Sequence, residues 1–147
     1  MVDKDLLSIQ EARSLVRAAK EAQASLAELG QEKVDAIVKA ISEAAYAQAE
    51  TLAALAVEET GFGKVQDKKT KNILASKNLF DAIKDMKTIG VLCDNKEDKI
   101  VEIAVPMGVI AGIIPSTNPT STTIYKSMIA LKSGNAIVFT PHPSAKK

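Results

Sequence analysis

The feature that most constrains this chain is a pair of apolar runs separated by one helical pattern. Gly108-Val-Ile-Ala-Gly-Ile-Ile114 leads through a polar seam into a helix expected over residues 121–132. Gly134-Asn135 stops that helix, and Ala136-Ile-Val-Phe-Thr140 follows as a second apolar strand. Strand, helix and strand with short connections close as a right-handed crossover between parallel strands. The fold class is therefore α/β. A parallel sheet of about two strands cannot cover its own faces and edges, and the last residues, PHPSAKK, form a loop that leads nowhere. The chain reads as cut off just after its sheet begins.

The seam itself, Pro115-Ser-Thr-Asn-Pro-Thr-Ser-Thr-Thr123, gathers hydroxyls, an amide and two prolines between strand and helix. In open α/β sheets ligands bind beyond the carboxyl ends of parallel strands. Two loops have that position here, 115–119 and 140–143. The first also opens a helix, whose unpaired N–H groups favour an anion or a developing oxyanion, and Asn118 adds a side-chain donor. The plainer reading is that Thr120, Ser121 and Thr122 cap the helix. Capping needs one such residue, and the seam offers six.

Upstream the chain is helical. One amphipathic helix is expected from Leu6 to Leu29, with Ala12, Leu15, Val16, Ala19, Leu26 and Leu29 on one face, ending at Gly30. A second runs from Gln31 to Glu59 and stops at Thr60-Gly-Phe-Gly63. A third spans Val65 to Met86. The segments TIGVLCD and KIVEIAV, joined by the charged tip NKED, read as a β-hairpin, and Pro106 breaks the second strand from the next. Residues 1–87 thus form a helical part, 88–106 a hairpin and 107–147 the first strand–helix–strand unit. Aromatic residues make up only 3% of the chain, so its alanine-rich helices must pack closely through small side chains.

Other candidate features are weaker. GFGK at residues 61–64 follows a helix and has the spacing of neither a dinucleotide fingerprint nor a P-loop, so it reads as a turn. The run QDKKTK at residues 66–71 reads as a solvated helix face. Cys93 stands beside the hairpin with no activating base nearby in sequence, which argues against a nucleophile. It is also the only cysteine, which rules out an internal disulfide and fits a reducing compartment. His142 lies between two prolines in the second loop, well placed to touch a ligand. One histidine without clustered carboxylates or thiols makes no metal site. The net charge of +1 gives no footprint for nucleic acid or an anionic membrane. No apolar run approaches the roughly 20 residues of a membrane span, and no signal pattern opens the chain. A cytoplasmic protein is expected.

The segment GVIAGIIPSTNPTSTTIYKSMIALKSGNAIVFTPHPSAK closely resembles the CoA-acylating branch of the aldehyde dehydrogenases. The resemblance continues upstream through EETGFGKVQDKKTKN and covers nearly the whole chain. It implies an aldehyde dehydrogenase-like fold: N-terminal helices, an oligomerisation hairpin and the opening of a Rossmann-like cofactor domain. It implies that Asn118 donates to the oxyanion formed when a cysteine thiolate attacks an aldehyde. Ile114, Pro115, Ser116 and Thr117 would line the nicotinamide side of NAD. Thr140, Pro141 and His142 would lie at the adenosine end, where NAD and then coenzyme A bind. By the same resemblance, hydride would pass to NAD, and the resulting thioester would give its acyl group to CoA.

Three departures from the hydrolytic enzymes favour the acylating branch. Those enzymes have a tryptophan before this asparagine and a lysine at the position of Thr140, and here the loop is one residue longer. The family's nucleophilic cysteine lies far beyond the matched segment, and Cys93 does not match it. The resemblance therefore implies the N-terminal portion of an NAD-dependent enzyme that converts a short-chain aldehyde and CoA to acyl-CoA. The complete enzyme would be a homo-oligomer, in the cytoplasm or within a bacterial microcompartment, while the isolated chain would be inactive. The competing expectation is a non-catalytic binding or assembly module that pairs through the hairpin and the open sheet edge.

Overall fold

A computed structural model describes residues 3–146. Six α-helices and four strands follow in chain order among them: α1 (Lys4–Ala27), α2 (Gly30–Ala47), α3 (Ala49–Thr60), α4 (Val65–Ile73), α5 (Leu79–Ile83), β1 (Gly90–Asn95), β2 (Ile100–Ala104), β3 (Val109–Ile114), α6 (Pro119–Lys132) and β4 (Ala136–Pro141). Strands β3 and β4 pair in parallel from Val109 opposite Ala136 to Ile114 opposite Pro141. Helix α6 is their crossover, as the strand–helix–strand pattern requires. Strands β1 and β2 form the antiparallel hairpin, with a bulge between Val91 and Cys93. The expected α/β class is the one observed.

Close packing sets the order of the layers. Gly112 on β3 has no side chain because Phe139 of β4 occupies that space: a Cβ there would stand 2.7 Å from the Phe139 ring and 3.0 Å from Ile137 Cδ1. Helix α6 covers one face of the two strands and α1 crosses the other, next to a cavity of about 750 Å³. The main core lies among α1, α2, α6 and the segment after α4, where Leu26, Val34, Val38, Ala75, Ile124 and Met128 are buried against one another. Side chains from α2 also hold the start of the hairpin. Gln31 Oε1 accepts from the backbone N–H of Thr88 at 2.8 Å and of Ile89 at 2.9 Å.

Four expectations need correction. The second helix is two helices, because the backbone leaves helical geometry at Gln48, where φ is −100° and ψ 8°. Buried Ala49 and Ala53 let α3 leave α2 on a new axis and pack on α4. The third helix is interrupted by a π-helical segment, Leu74–Asn78. There the Ser76 hydroxyl donates to the carbonyl of Asn72 at 2.6 Å, a side-chain intrusion of the kind that loosens a helical ladder. The first helix buries only Leu26, and Leu15 and Val16 of its apolar face stay 47% and 48% exposed. Finally, α6 begins two residues earlier than expected, at Pro119. Proline suits that first helical position because its missing N–H would have no partner there. Among the described residues no helix is long and apolar enough to cross a membrane.

Candidate active site

Strand β3 delivers the chain at Ile114 to the carboxyl edge of the sheet, and residues 115–118 carry it into α6. Asn118 takes the N-cap position in a non-helical conformation, and its carbonyl accepts from the N–H of Thr122 at 3.2 Å. Its side chain does not cap the helix. Instead Oδ1 accepts from Lys71 Nζ at 3.0 Å. Nδ2 comes only within 3.5 Å of Thr117 Oγ1, long for a hydrogen bond, so an amide donor is left almost unengaged. It stands beside a cavity of about 400 Å³ bounded by Lys71, Leu74, Leu79, Thr122 and Tyr125.

The hydroxyls of the seam are not caps either. The Thr120 hydroxyl donates to Asn72 Oδ1 at 2.8 Å, and Thr123 bonds back to the carbonyl of Pro119 at 3.0 Å. No side chain caps the helix, which removes the plainer explanation of the polar seam, and Asn118 and Thr120 instead fasten the loop to α4.

The fastening comes from the charge run expected to face solvent: most of the run is exposed as expected, and buried Lys68 is the correction. Lys68, Lys71 and Asn72 lie three and four residues apart on α4 and so share one helix face. Lys68 is only 4% exposed and donates to the carbonyl of Thr117 at 2.7 Å. Burial, with a smaller push from the charge of Lys71, lowers its pKa below the ordinary lysine range. Asn72 is fully buried, and its Nδ2 also donates to the carbonyl of Ala49 at 2.9 Å. Residues 117, 118 and 120 are thus each held by a different side chain of α4. In the sequence neither lysine stands out from the charge run that holds it. The available signal was the spacing of 68, 71 and 72, which puts two cations and an amide on one face.

The second loop closes against the first. The backbone N–H of His142 donates to the carbonyl of Ile114 at 3.0 Å and continues the parallel ladder. The His142 ring turns to its own loop, where Nδ1 accepts from the N–H of Ser144 at 3.2 Å. Ile114 is 4% exposed and, with Pro119, Thr120, Phe139 and Pro141, bounds a second cavity of about 300 Å³. The residues assigned to one ligand-binding edge therefore divide. Asn118 faces the first cavity, Ile114 and Pro141 the second. Pro115, Thr117, Thr140 and His142 are exposed at the strand ends, with Ser116 half-buried.

Chemically, the first cavity can polarise a carbonyl. Its wall offers an oriented amide N–H, the Lys71 ammonium, the hydroxyls of Ser121, Thr122 and Tyr125 and apolar surface, and none of its described lining residues is a cysteine, histidine or carboxylate. Cys93 is exposed on β1 and borders neither cavity.

Comparison with known proteins agrees with this architecture. The model of the aldehyde dehydrogenase family matches residues 5–146. The bifunctional aldehyde-alcohol dehydrogenase of Escherichia coli K12 is 48% identical over 139 residues, 95% of this chain but 16% of that protein. A probable aldehyde dehydrogenase from Listeria monocytogenes superposes with a TM-score of 0.95 at 58% identity, covering 98% of this chain and 32% of the other. An acetylating aldehyde dehydrogenase from Geobacillus thermoglucosidasius gives 0.95 at 52% identity, covering 99% and 32%. This chain spans only that part of their lengths, and it belongs to the aldehyde dehydrogenase family.

Proposed function

We propose that these residues form the oxyanion-binding part of a CoA-acylating, NAD-dependent aldehyde dehydrogenase acting on a short-chain aldehyde. The observation that carries this reading is the Asn118 amide, turned so that its N–H faces away from Lys71 and has no strong partner. A donor fixed before the reaction stabilises charge that develops on a carbonyl oxygen without reorganising. The acetylating activity named for the Geobacillus relative supports CoA as the acyl acceptor.

The strand ends fit a dinucleotide. Ser116, Thr117 and Thr140 bring small hydroxyls to the carboxyl edge, where open parallel sheets bind nucleotides. Residues 114–117 would hold the nicotinamide side and residues 140–142 the adenosine side. Bound there, NAD would accept the hydride and CoA the acyl group. The chain's own part is to hold the aldehyde oxygen on Asn118 Nδ2, keep Pro115–Thr117 fixed through Lys68, and exclude water with the apolar wall of Leu74, Leu79 and Tyr125. The cysteine nucleophile would be supplied elsewhere in the complete enzyme.

The hairpin supports self-association of that enzyme. Val91, Ile100, Val101, Ile103 and Val105 are all more than 40% exposed, an apolar surface in want of a cover. The test of function is CoA-dependent reduction of NAD by acetaldehyde in a complete enzyme carrying these 147 residues. Asn118→Ala should slow turnover roughly 100-fold, as loss of one oxyanion donor does. Unchanged turnover would remove Asn118 from the reaction.

A further inference from the structure

Lysine has three N–H donors and no acceptor. An asparagine amide beside it can therefore make a hydrogen bond in only one of its two flips, with Oδ1 toward the ammonium. At Asn118 this is the arrangement found, with Lys71 Nζ 3.0 Å from Oδ1. Asn118 is the single hydrogen-bond partner of the Lys71 ammonium among the described residues, and no carboxylate pairs with its charge. We propose that Lys71 is a positioning residue, whose ammonium fixes the flip of the Asn118 amide so that Nδ2 is presented to the reacting oxygen. This rests on the reading of Asn118 as an oxyanion donor.

The geometry around the pair makes the arrangement more than a passing surface contact. Lys71 is one turn from Lys68, which is buried and bonded to the Thr117 carbonyl, and adjacent to Asn72, which is buried and bonded to Thr120. The loop on both sides of Asn118 is thus immobilised by the helix that carries Lys71. What remains free at Asn118 is rotation of the amide itself, and Lys71 is the group that selects between its two orientations. Without the cation, the flip that points Oδ1 at the developing oxyanion becomes accessible, and it repels the transition state. A hydrogen bond to a charged group biases such a choice by roughly tenfold or more.

The test is a double-mutant cycle in a complete enzyme carrying this segment, read as single-turnover hydride transfer and as the KM for aldehyde. Lys71→Met should slow hydride transfer roughly tenfold with little change in KM, and Lys71→Arg should restore most of the rate. In an Asn118→Ala background, Lys71→Met should cost less than about twofold, because its target is gone. Lys71 is exposed, so the thermal midpoint should stay near that of the parent.

Three results would overturn the inference. An equal tenfold loss in the Asn118→Ala background would mean that Lys71 acts on substrate or coenzyme directly. No loss from Lys71→Met, with Asn118→Ala still severe, would mean that the amide needs no orienting, and would leave the oxyanion reading intact. A silent Asn118→Ala would remove the oxyanion reading and Lys71's role with it.

Discussion

Helix α6, which follows the candidate oxyanion donor, is joined to α2 by an ion pair with one buried cation, and removing one member of the pair should have a very different effect from removing the other. Lys132 is 3% exposed; its Nζ lies 2.6 Å from Asp35 Oδ1 on α2 and 3.0 Å from the carbonyl of Lys84. Asp35 keeps a side chain 34% exposed and also accepts from Gln31 Nε2 at 2.8 Å. Replacing Asp35 with asparagine leaves an ammonium buried with only neutral acceptors, at a cost of about 3 kcal/mol, the low end for a broken buried pair. Replacing Lys132 with methionine leaves a carboxylate that water and Gln31 still reach, and fills the same volume with apolar atoms. That loss should be about 1 kcal/mol or less. For a chain of this size, unfolding followed by circular dichroism should show Asp35→Asn lowering the midpoint by about 10 °C and Lys132→Met by about 3 °C. Equal losses, or a larger loss from Lys132→Met, would refute the argument that desolvation of the unpaired cation dominates.

Two further outcomes follow from the structure. Gly112→Ala should destabilise the chain by about 1–3 kcal/mol in urea unfolding, since its Cβ would meet the Phe139 ring at 2.7 Å and a packed sheet gives way only at a cost; a neutral result would mean that Phe139 moves aside freely. Lys68 has a pKa lowered in the fold by burial and then by Lys71, so between that value and the ordinary 10.5 the unfolded chain holds more protons and stability rises with pH. Relative to Lys68→Met, the parent should gain unfolding midpoint as pH climbs from neutral toward 10.5, and a difference that shrinks instead would contradict the sign.

What the sequence made legible was set by short-range pattern. The two apolar runs and the helix between them required a parallel pair, and the NKED tip required a hairpin, where Asn95 Oδ1 accepts from the N–H groups of both Glu97 and Asp98 at 3.0 Å. Asn118 could be singled out because it stands at a strand end. The breaks at Gln48 and in the π-helical segment were not legible, because no glycine or proline marks either. One is released by small buried residues across α3, the other by a serine hydroxyl bonding to Asn72 four residues back. Lys68 departs from the pattern for a different reason. A charged run on a helix is normally solvated, and what buries Lys68, and gives the exposed Lys71 a partner, is a loop more than forty residues later in the chain. Helical spacing shows that they share a face with Asn72; only the fold shows that the face meets residues 117–120.

The proposed function stands or falls on whether the Asn118 amide presents Nδ2 to the reacting oxygen. The most direct test is a crystal structure of a complete enzyme carrying this segment, trapped with an aldehyde bound covalently to its nucleophilic cysteine. Asn118 Nδ2 should lie within about 2.7–3.1 Å of the former carbonyl oxygen, with Oδ1 still on Lys71. An oxygen held by other donors, with Asn118 turned away from it, would overturn the assignment of Asn118 as the oxyanion donor.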